Sequence, residues 1–192
     1  MKTVPLGGKK AAGRVALVDD EDYDLVMQYR WHVHEQRNTE GVTTSGPYAV
    51  TTIPIPPGDM QAKRWPCGKV AQRRVLMHQL IAGYKGPDHS NGNGLDNRRA
   101  NLRPATVTQN SANQRPRRGT SSRYKGVRWC KKSRKWRAGI KVNGRERHLG
   151  LFTSEEDAAR AYNEAALGAW GEYAYLNQTQ GPAAATRDEG AA

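Results

Sequence analysis

One phenylalanine and two cysteines stand among 192 residues. The cysteines, Cys67 and Cys130, form no Cys-x-x-Cys pair and make no zinc site. A reducing, cytoplasmic setting is expected, and Met1-Lys2-Thr3 opens no signal-peptide pattern, so secretion is not. No apolar run approaches the roughly 18 residues a spanning helix requires. Leu, Ile, Val and Phe supply 28 residues in all, about 15% of the chain. A highly charged chain that poor in core formers falls in the disordered range. Five tryptophans and the clustering of the bases argue for small modules with thin cores instead, steadied by metal or DNA. Acids are also scarce: 18 against 31 Lys and Arg, a net charge of +13. Across residues 115–147 fourteen bases meet a single acid, Glu146. That concentration is a footprint for a polyanion. The basic stretch contains no amphipathic helix, which argues against a membrane surface.

What is present is concentrated at residues 88–110. Asp88-His89 is followed by Asn91-Gly92-Asn93-Gly94, Asp96-Asn97-Arg98-Arg99, Asn101-Leu102-Arg103 and Thr106-Val107-Thr108-Gln109-Asn110. Hydrophobic burial does not explain this composition; a metal held against a phosphate does. Phosphodiester hydrolysis needs a water, a base to activate it and a cation for the leaving oxygen. His89 is the candidate base, because imidazole titrates near neutral pH. Asp88 offers hard oxygen, which suits Mg²⁺ or Mn²⁺ rather than zinc. Neighbours on a strand point to opposite faces, so the partner groups must come from another element. Thr106 and Gln109 have the spacing of a capping box, which predicts a helix opening near Thr106 with Asn110 in its first turn. The order is then strand to Asp88-His89, polar loop, short strand near Asn101-Leu102-Arg103, and helix. Taken singly, Asn-Gly-Asn-Gly is a turn and Asn97-Arg98-Arg99 a solvated basic face.

Asp88-His89, Asn101 and Asn110 in this order resemble the HNH motif of the homing-type endonucleases of phages and introns, which fold as a ββα-metal unit. The resemblance implies a divalent metal at Asp88 and Asn110 and a general base at His89. Asn101 would tie the loop behind the base. The hard donor set implies Mg²⁺, with Mn²⁺ able to substitute. Met77-His78 followed by Leu80-Ile81 is similar to a segment that often precedes the metal strand in such enzymes.

Ahead of this unit, residues 1–75 read as an α+β region that supports it. Val15-Ala16-Leu17-Val18, Trp31-His32-Val33-His34 and 48–53 are expected as strands. Asp19-Asp20-Glu21-Asp22 opens a helix carrying Tyr23, Val26 and Met27. Residues 58–68 read as a loop, and 74–81 as a helix with Leu76, Leu80 and Ile81 as its buried stripe. His32 and His34 share a strand face, but with no third ligand near in sequence they are ordinary strand histidines. The nuclease core spans 76–114 and a basic linker 115–122, where Arg115, Arg117 and Arg118 can follow a phosphate backbone.

Residues 123–177 form a second module. Strands are expected at 126–129, 135–142 and 147–152, with Asn143-Gly144 turning the last hairpin. In the middle strand Trp136, Ala138, Ile140 and Val142 alternate with Arg137, Gly139 and Lys141. Thr153-Ser154-Glu155-Glu156 reads as a capping box opening an alanine-rich helix, whose inner stripe is Ala158, Tyr162, Ala165, Ala166 and Ala169. Tyr124-Lys125-Gly126-Val127-Arg128, Leu149-Gly150-Leu151-Phe152 and the Glu155-Glu156-Asp157-Ala158-Ala159 helix resemble the Apetala-two/ethylene-response-factor DNA-binding domain. In that family the sheet enters the major groove, which implies DNA contacts at Lys125, Arg128, Arg137, Lys141 and His148. Cys130, Gly139 and His148 depart from the plant pattern, so the plant target sequence does not carry over. Residues 178–192 read as a disordered tail.

The whole is an α+β chain: a ββα-metal unit followed by a small three-stranded antiparallel sheet packed on one helix. The expected function is metal-dependent cutting of double-stranded DNA, as a monomer that nicks; a double-strand break needs a second site or a dimer. The rival from another class is a sequence-specific DNA-binding regulator whose HNH unit is an inactive scaffold. An RNA-binding protein is less well supported, since the basic sheet lacks paired exposed aromatics.

Overall fold

The computed structural model describes residues 1–37, 39, 43–55, 71–116 and 119–179. The loop read at 58–68 with Cys67, the arginines Arg117 and Arg118, and the tail beyond residue 179 lie outside them. The chain divides into two compact units, Met1–Val107 and Thr108–Ala192. Both mix helices with small antiparallel sheets, an α+β architecture. No helix among the described residues is long and apolar enough to cross a membrane.

In the first unit, β1 (Lys2–Pro5) and β2 (Val15–Val18) form a hairpin in register Lys2 to Val18. β1 was not expected: its one buried side chain, Val4, is too weak a pattern to announce a strand. A 3₁₀ turn at Asp20–Asp22 leads into α1 (Tyr23–Met27). β3 (His32–Arg37), β4 (Thr43–Pro54) and β5 (Gln72–Leu76) make a sheet with β4 in the middle. α2 (Met77–Ala82) follows, then β6 (Pro87–His89) paired with β7 (Leu102–Pro104). Arg74, Val75 and Leu76 therefore belong to β5 and not to a helix. They pair with Thr52, Thr51 and Val50 of β4, and that ladder overrides their helical spacing. With the helix starting at Met77, its buried residues are Met77, His78 and Ile81, while Leu76 and Leu80 are half-buried. The core gathers Val4, Ala16, Val18, Val26, Trp31, Ala49, Met77 and Ile81. Trp31 completes itself by donating its indole N–H to the Val26 carbonyl at 2.7 Å.

The polar loop between β6 and β7 is pinned to this core by backbone. Leu17 N–H donates to Leu95 O and Asn97 N–H to Leu17 O, both at 2.8 Å. Gly94 lets the loop lie flat on β4: a Cβ there would stand 2.5 Å from both the Pro47 carbonyl and the Tyr48 ring.

The second unit takes in all of α3 (Val107–Asn113) except its first residue. β8 (Val127–Cys130), β9 (Lys135–Val142) and β10 (Arg145–Phe152) form its sheet, with β9 central. α4 (Glu155–Trp170) packs on it through Ala158, Ala159, Tyr162 and Ala166, against Val127, Ala138 and Ile140. Ala165 is half-buried and Ala169 exposed, so the stripe is narrower than expected. The cap of α4 is Ser154, whose Oγ accepts from the Glu156 and Asp157 N–H groups.

Gly126 admits no side chain. Its φ is +75°, and a Cβ would come within 2.0 Å of the Tyr162 ring and 2.7 Å of Gly139 O. Gly126→Ala is expected to destabilise this unit by at least about 2 kcal/mol, joining left-handed strain to overpacking. Urea unfolding checks this, and an unchanged midpoint would refute it.

Candidate functional site

On β6 every side chain is buried: Asp88 is 5% and His89 6% exposed. A buried acid needs a partner. Asp88 finds one in Arg103, directly opposite on β7, whose Nη2 and Nε donate to Oδ2 at 2.9 and 3.1 Å.

His89 Nε2 lies 3.2 Å from Asn97 Oδ1. The Asn97 amide nitrogen is committed elsewhere, donating to Leu95 O at 3.2 Å and to Met77 Sδ at 3.3 Å. Its oxygen is therefore the group that meets the imidazole, and neutral His89 carries its proton on Nε2. That leaves Nδ1 as the basic nitrogen. Burial holds the His89 pKa below its ordinary 6.5, opposed by the Asn97 bond and by the charges of Asp88 and Asp96. His78 on α2 stands edge-on to His89, ring centres 4.8 Å apart at 87°, and Tyr48 packs against both. Burial, then His89, pushes His78 down to about 3. No hydrogen-bond partner for its Nδ1 is found among the described residues.

The loop that follows His89 is tied by Asn101. Its Oδ1 accepts from Ser90 Oγ at 2.8 Å and Asn91 N–H at 3.0 Å, and its Nδ2 donates to Asp96 O at 2.7 Å. Asn97-Arg98-Arg99 is not a solvated basic face. Asn97 is fully buried. Arg98 is bidentate to Asp96 at 2.7 Å, which holds the Asp96 carboxyl below its usual range. Arg99 is bidentate to Asp22 and pairs with Glu21, while its N–H donates to Asp19. The acidic run of the N-terminal region thus anchors the site loop.

Asn110 lies half-buried on α3, in the second unit. Among the described residues no three His, Cys, Asp or Glu side chains gather into a ready-made metal cage. The Asp88 carboxylate is a hard oxygen donor, which suits a cation that keeps several waters, as Mg²⁺ does.

On the sheet of the second unit, Arg128 pairs with Arg137, His148 with Gly139 and Glu146 with Lys141, so all lie on the face away from α4. Arg128, Lys141 and His148 are exposed, Arg137 half-buried, and Arg115 is exposed after α3. Glu146 sits among them, its Oε1 3.1 Å from Arg128 and 3.6 Å from Arg137. Lys125 differs from the rest. Its ammonium donates to three carbonyls, Ser111, Ala112 and Gln114, and burial lowers its pKa to about 8.

Asn97, Arg103 and Tyr48 have no role in the sequence reading of the site, whereas His78 belongs to the Met77-His78 segment that the family resemblance marks. Arg103 opposite Asp88 was available from strand pairing. Asn97 and Tyr48 reach His89 through tertiary packing and leave no local signal.

No protein-family model and no solved structure matches the chain. It is 30% identical over 174 residues to a protein of Acanthamoeba polyphaga mimivirus named as an uncharacterized HNH endonuclease, covering 88% of this chain and 78% of that one. A stretch of 36 residues is 54% identical to an ethylene-responsive transcription factor-like protein of Arabidopsis thaliana, covering 19% of this chain and 16% of that one.

Proposed function

The chain belongs to the HNH endonucleases, and from that premise we propose that it nicks double-stranded DNA with Mg²⁺. The observation that carries this reading is the buried Asp88-His89 pair, with His89 Nε2 held on Asn97 so that Nδ1 is the basic nitrogen. His89 Nδ1 takes the proton of the water that attacks phosphorus. Asn97 fixes the tautomer, and Asn101 fixes the loop that carries it. Asp88, oriented by Arg103, and Asn110 would hold the Mg²⁺, for which Mn²⁺ substitutes. The bound cation supplies charge for the leaving oxygen. The family implies 5′-phosphate and 3′-hydroxyl ends.

Arg128, Arg137, Lys141 and His148 face the duplex, with Arg115 along its backbone; two-stranded ribbons and sheets of this size fit a major groove. The ethylene-responsive relative supports DNA as the partner of this face. Glu146 holds Arg128 and Arg137 in fixed directions and restrains their pull on phosphates. Glu146→Gln is expected to raise affinity for unrelated duplexes about fivefold and to steepen the salt dependence by about one to two counterions. Fluorescence anisotropy at several salt concentrations reads both, and a weaker, less salt-dependent complex would contradict the role.

The test of function is a supercoiled plasmid at low salt. Open-circle product that requires Mg²⁺ or Mn²⁺ and stops with chelator is expected. Linear product would indicate a dimer cutting both strands. DNA shown to be bound yet uncut under any divalent metal would leave a binding protein with an inactive HNH scaffold.

A further inference from the structure

Leu151 is 43% exposed. A single exposed leucine is ordinary on a protein surface. What sets this one apart is the backbone that turns it out. In regular alternation along β10, an outward His148 would be followed by Leu149 facing α4, Gly150 out, Leu151 in and Phe152 out. The pairing with β9 breaks that order. The register shifts between His148 and Gly150, so His148 lies opposite Gly139 and Gly150 opposite Ala138. A bulge of this kind re-aims the side chains that follow it. Leu151 then pairs with Arg137, and Phe152 with Trp136. The leucine is sent to the basic face and the phenylalanine to the core, where Phe152 and Leu149 pack on the cluster around Ala138.

Gly150 permits this path. Its φ is +141°, and a Cβ would stand 3.0 Å from the Phe152 ring. Partners in an antiparallel pair share a face, so Leu151 on β10, Arg137 on β9 and Arg128 on β8 form one cross-strand row. Apart from Gly139 and Cys130, the rest of that face on the three strands is charged or polar. A leucine tip gains nothing from a phosphate. In a major groove the base edges present donors and acceptors, and thymine adds an apolar group, its 5-methyl. Arginine suits the O6 and N7 atoms of guanine. Neighbouring strands stand about 4.8 Å apart, and bases follow one another at about 3.4 Å along a duplex strand. Leu151 therefore reaches a base one or two steps from the one that Arg137 reaches.

We infer that Leu151 is a specificity-determining residue: it reads the 5-methyl group of a thymine that lies next to, or one base beyond, a guanine held by Arg137. The inference rests on the reading of this face as the one that meets the duplex. It goes further by giving the face a base preference that charge alone cannot supply, since contacts to phosphate carry no sequence information. Contact between the leucine and the methyl covers both from water, and that burial is the source of the preference.

The experiment uses the full-length protein with Leu151→Ala and Arg137→Ala, under chelator so that no strand is cut. Wild-type protein first selects duplexes from a random-sequence pool. Fluorescence anisotropy then reads affinity for the selected duplex with each thymine in turn replaced by deoxyuridine, which lacks only the methyl. At one position the replacement is expected to weaken wild-type binding about fourfold, the worth of one buried methyl-sized group. Leu151→Ala is expected to bind the thymine duplex about fourfold more weakly or worse, and to bind the deoxyuridine duplex equally well as the thymine one. Arg137→Ala is expected to weaken binding about tenfold. Selected duplexes with no recurring thymine, or wild-type protein indifferent to deoxyuridine at every position, would overturn the inference. A thymine preference that survives intact in Leu151→Ala would also overturn it, because another side chain would then hold the methyl. Arg137→Ala binding as tightly as wild type would overturn the reading of the face itself, and the deoxyuridine series tells that failure apart from a failure at Leu151.

Discussion

Replacing His89 with alanine is expected to slow strand cutting by about a thousandfold while leaving duplex affinity unchanged, since a positioned base contributes roughly 10²–10⁴. The sharper variant is Asn97→Leu. Asn97 touches no substrate in this reading; it accepts the Nε2 proton and so leaves Nδ1 as the base. Leucine keeps the branched shape without the acceptor, though it is bulkier. The imidazole can then carry its proton on either nitrogen, and one tautomer has no base where it is needed. A loss of about 10–100-fold in rate is expected, the usual effect of removing a group that orients a catalytic histidine. Asn97 also bonds Leu95 O and Met77 Sδ, so its loss has a structural cost. Rates are therefore compared at a temperature where circular dichroism shows each variant folded. A His89→Ala protein that nicks at the wild-type rate would end the proposal that His89 is the base. Asn97→Leu with full activity would end the tautomer argument alone.

These two residues also mark what is legible in the sequence and what is not. Asp88, His89 and Asn101 were legible because their chemistry is local: an acid beside an imidazole, then a polar loop with an amide at its return. Asn97 sits in the same loop but among arginines, and its neighbours suggested a charged surface. It is the backbone pairing of Leu17 with Leu95 and Asn97 that turns its side chain inward, and that contact spans most of the unit. His78 was visible as a residue but not as a neighbour of His89. In the second unit β9 was legible to the residue, because its alternation and the turn at Asn143-Gly144 agree; both turn residues have positive φ, 50° and 79°. The α4 cap was missed by one place because Thr153 and Ser154 are both competent, and only geometry decides which oxygen reaches the N–H groups. Lys125 shows the limit of positional inference: the residue type suits a phosphate, but its ammonium is taken by the end of α3.

The histidine pair is also expected to make the first unit acid-sensitive. In the folded chain His78 stays neutral until about pH 3, because burial and the adjacent His89 oppose its charge. In the unfolded chain it protonates from about 6.5 downward. Between these values the unfolded state holds more protons, so stability rises with pH through the window and is lost as pH falls from about 6.5. One proton is worth about 1.4 kcal/mol per pH unit, so His78 alone removes about 2 kcal/mol between pH 7 and pH 5. His89, also lowered by burial, acts in the same direction. Against a total of about 5–15 kcal/mol for a domain, this is a large fraction. His78→Phe keeps an aromatic ring at this position, removes the Nδ1 that has no partner among the described residues, and cannot titrate. Urea unfolding, followed by nuclear magnetic resonance signals of the first unit at pH 7 and pH 5, is expected to show the phenylalanine variant losing about 2 kcal/mol less than wild type over that interval. Equal losses in the two proteins would mean that His78 takes its proton without unfolding, and that the pocket beside His89 opens to water well above pH 3.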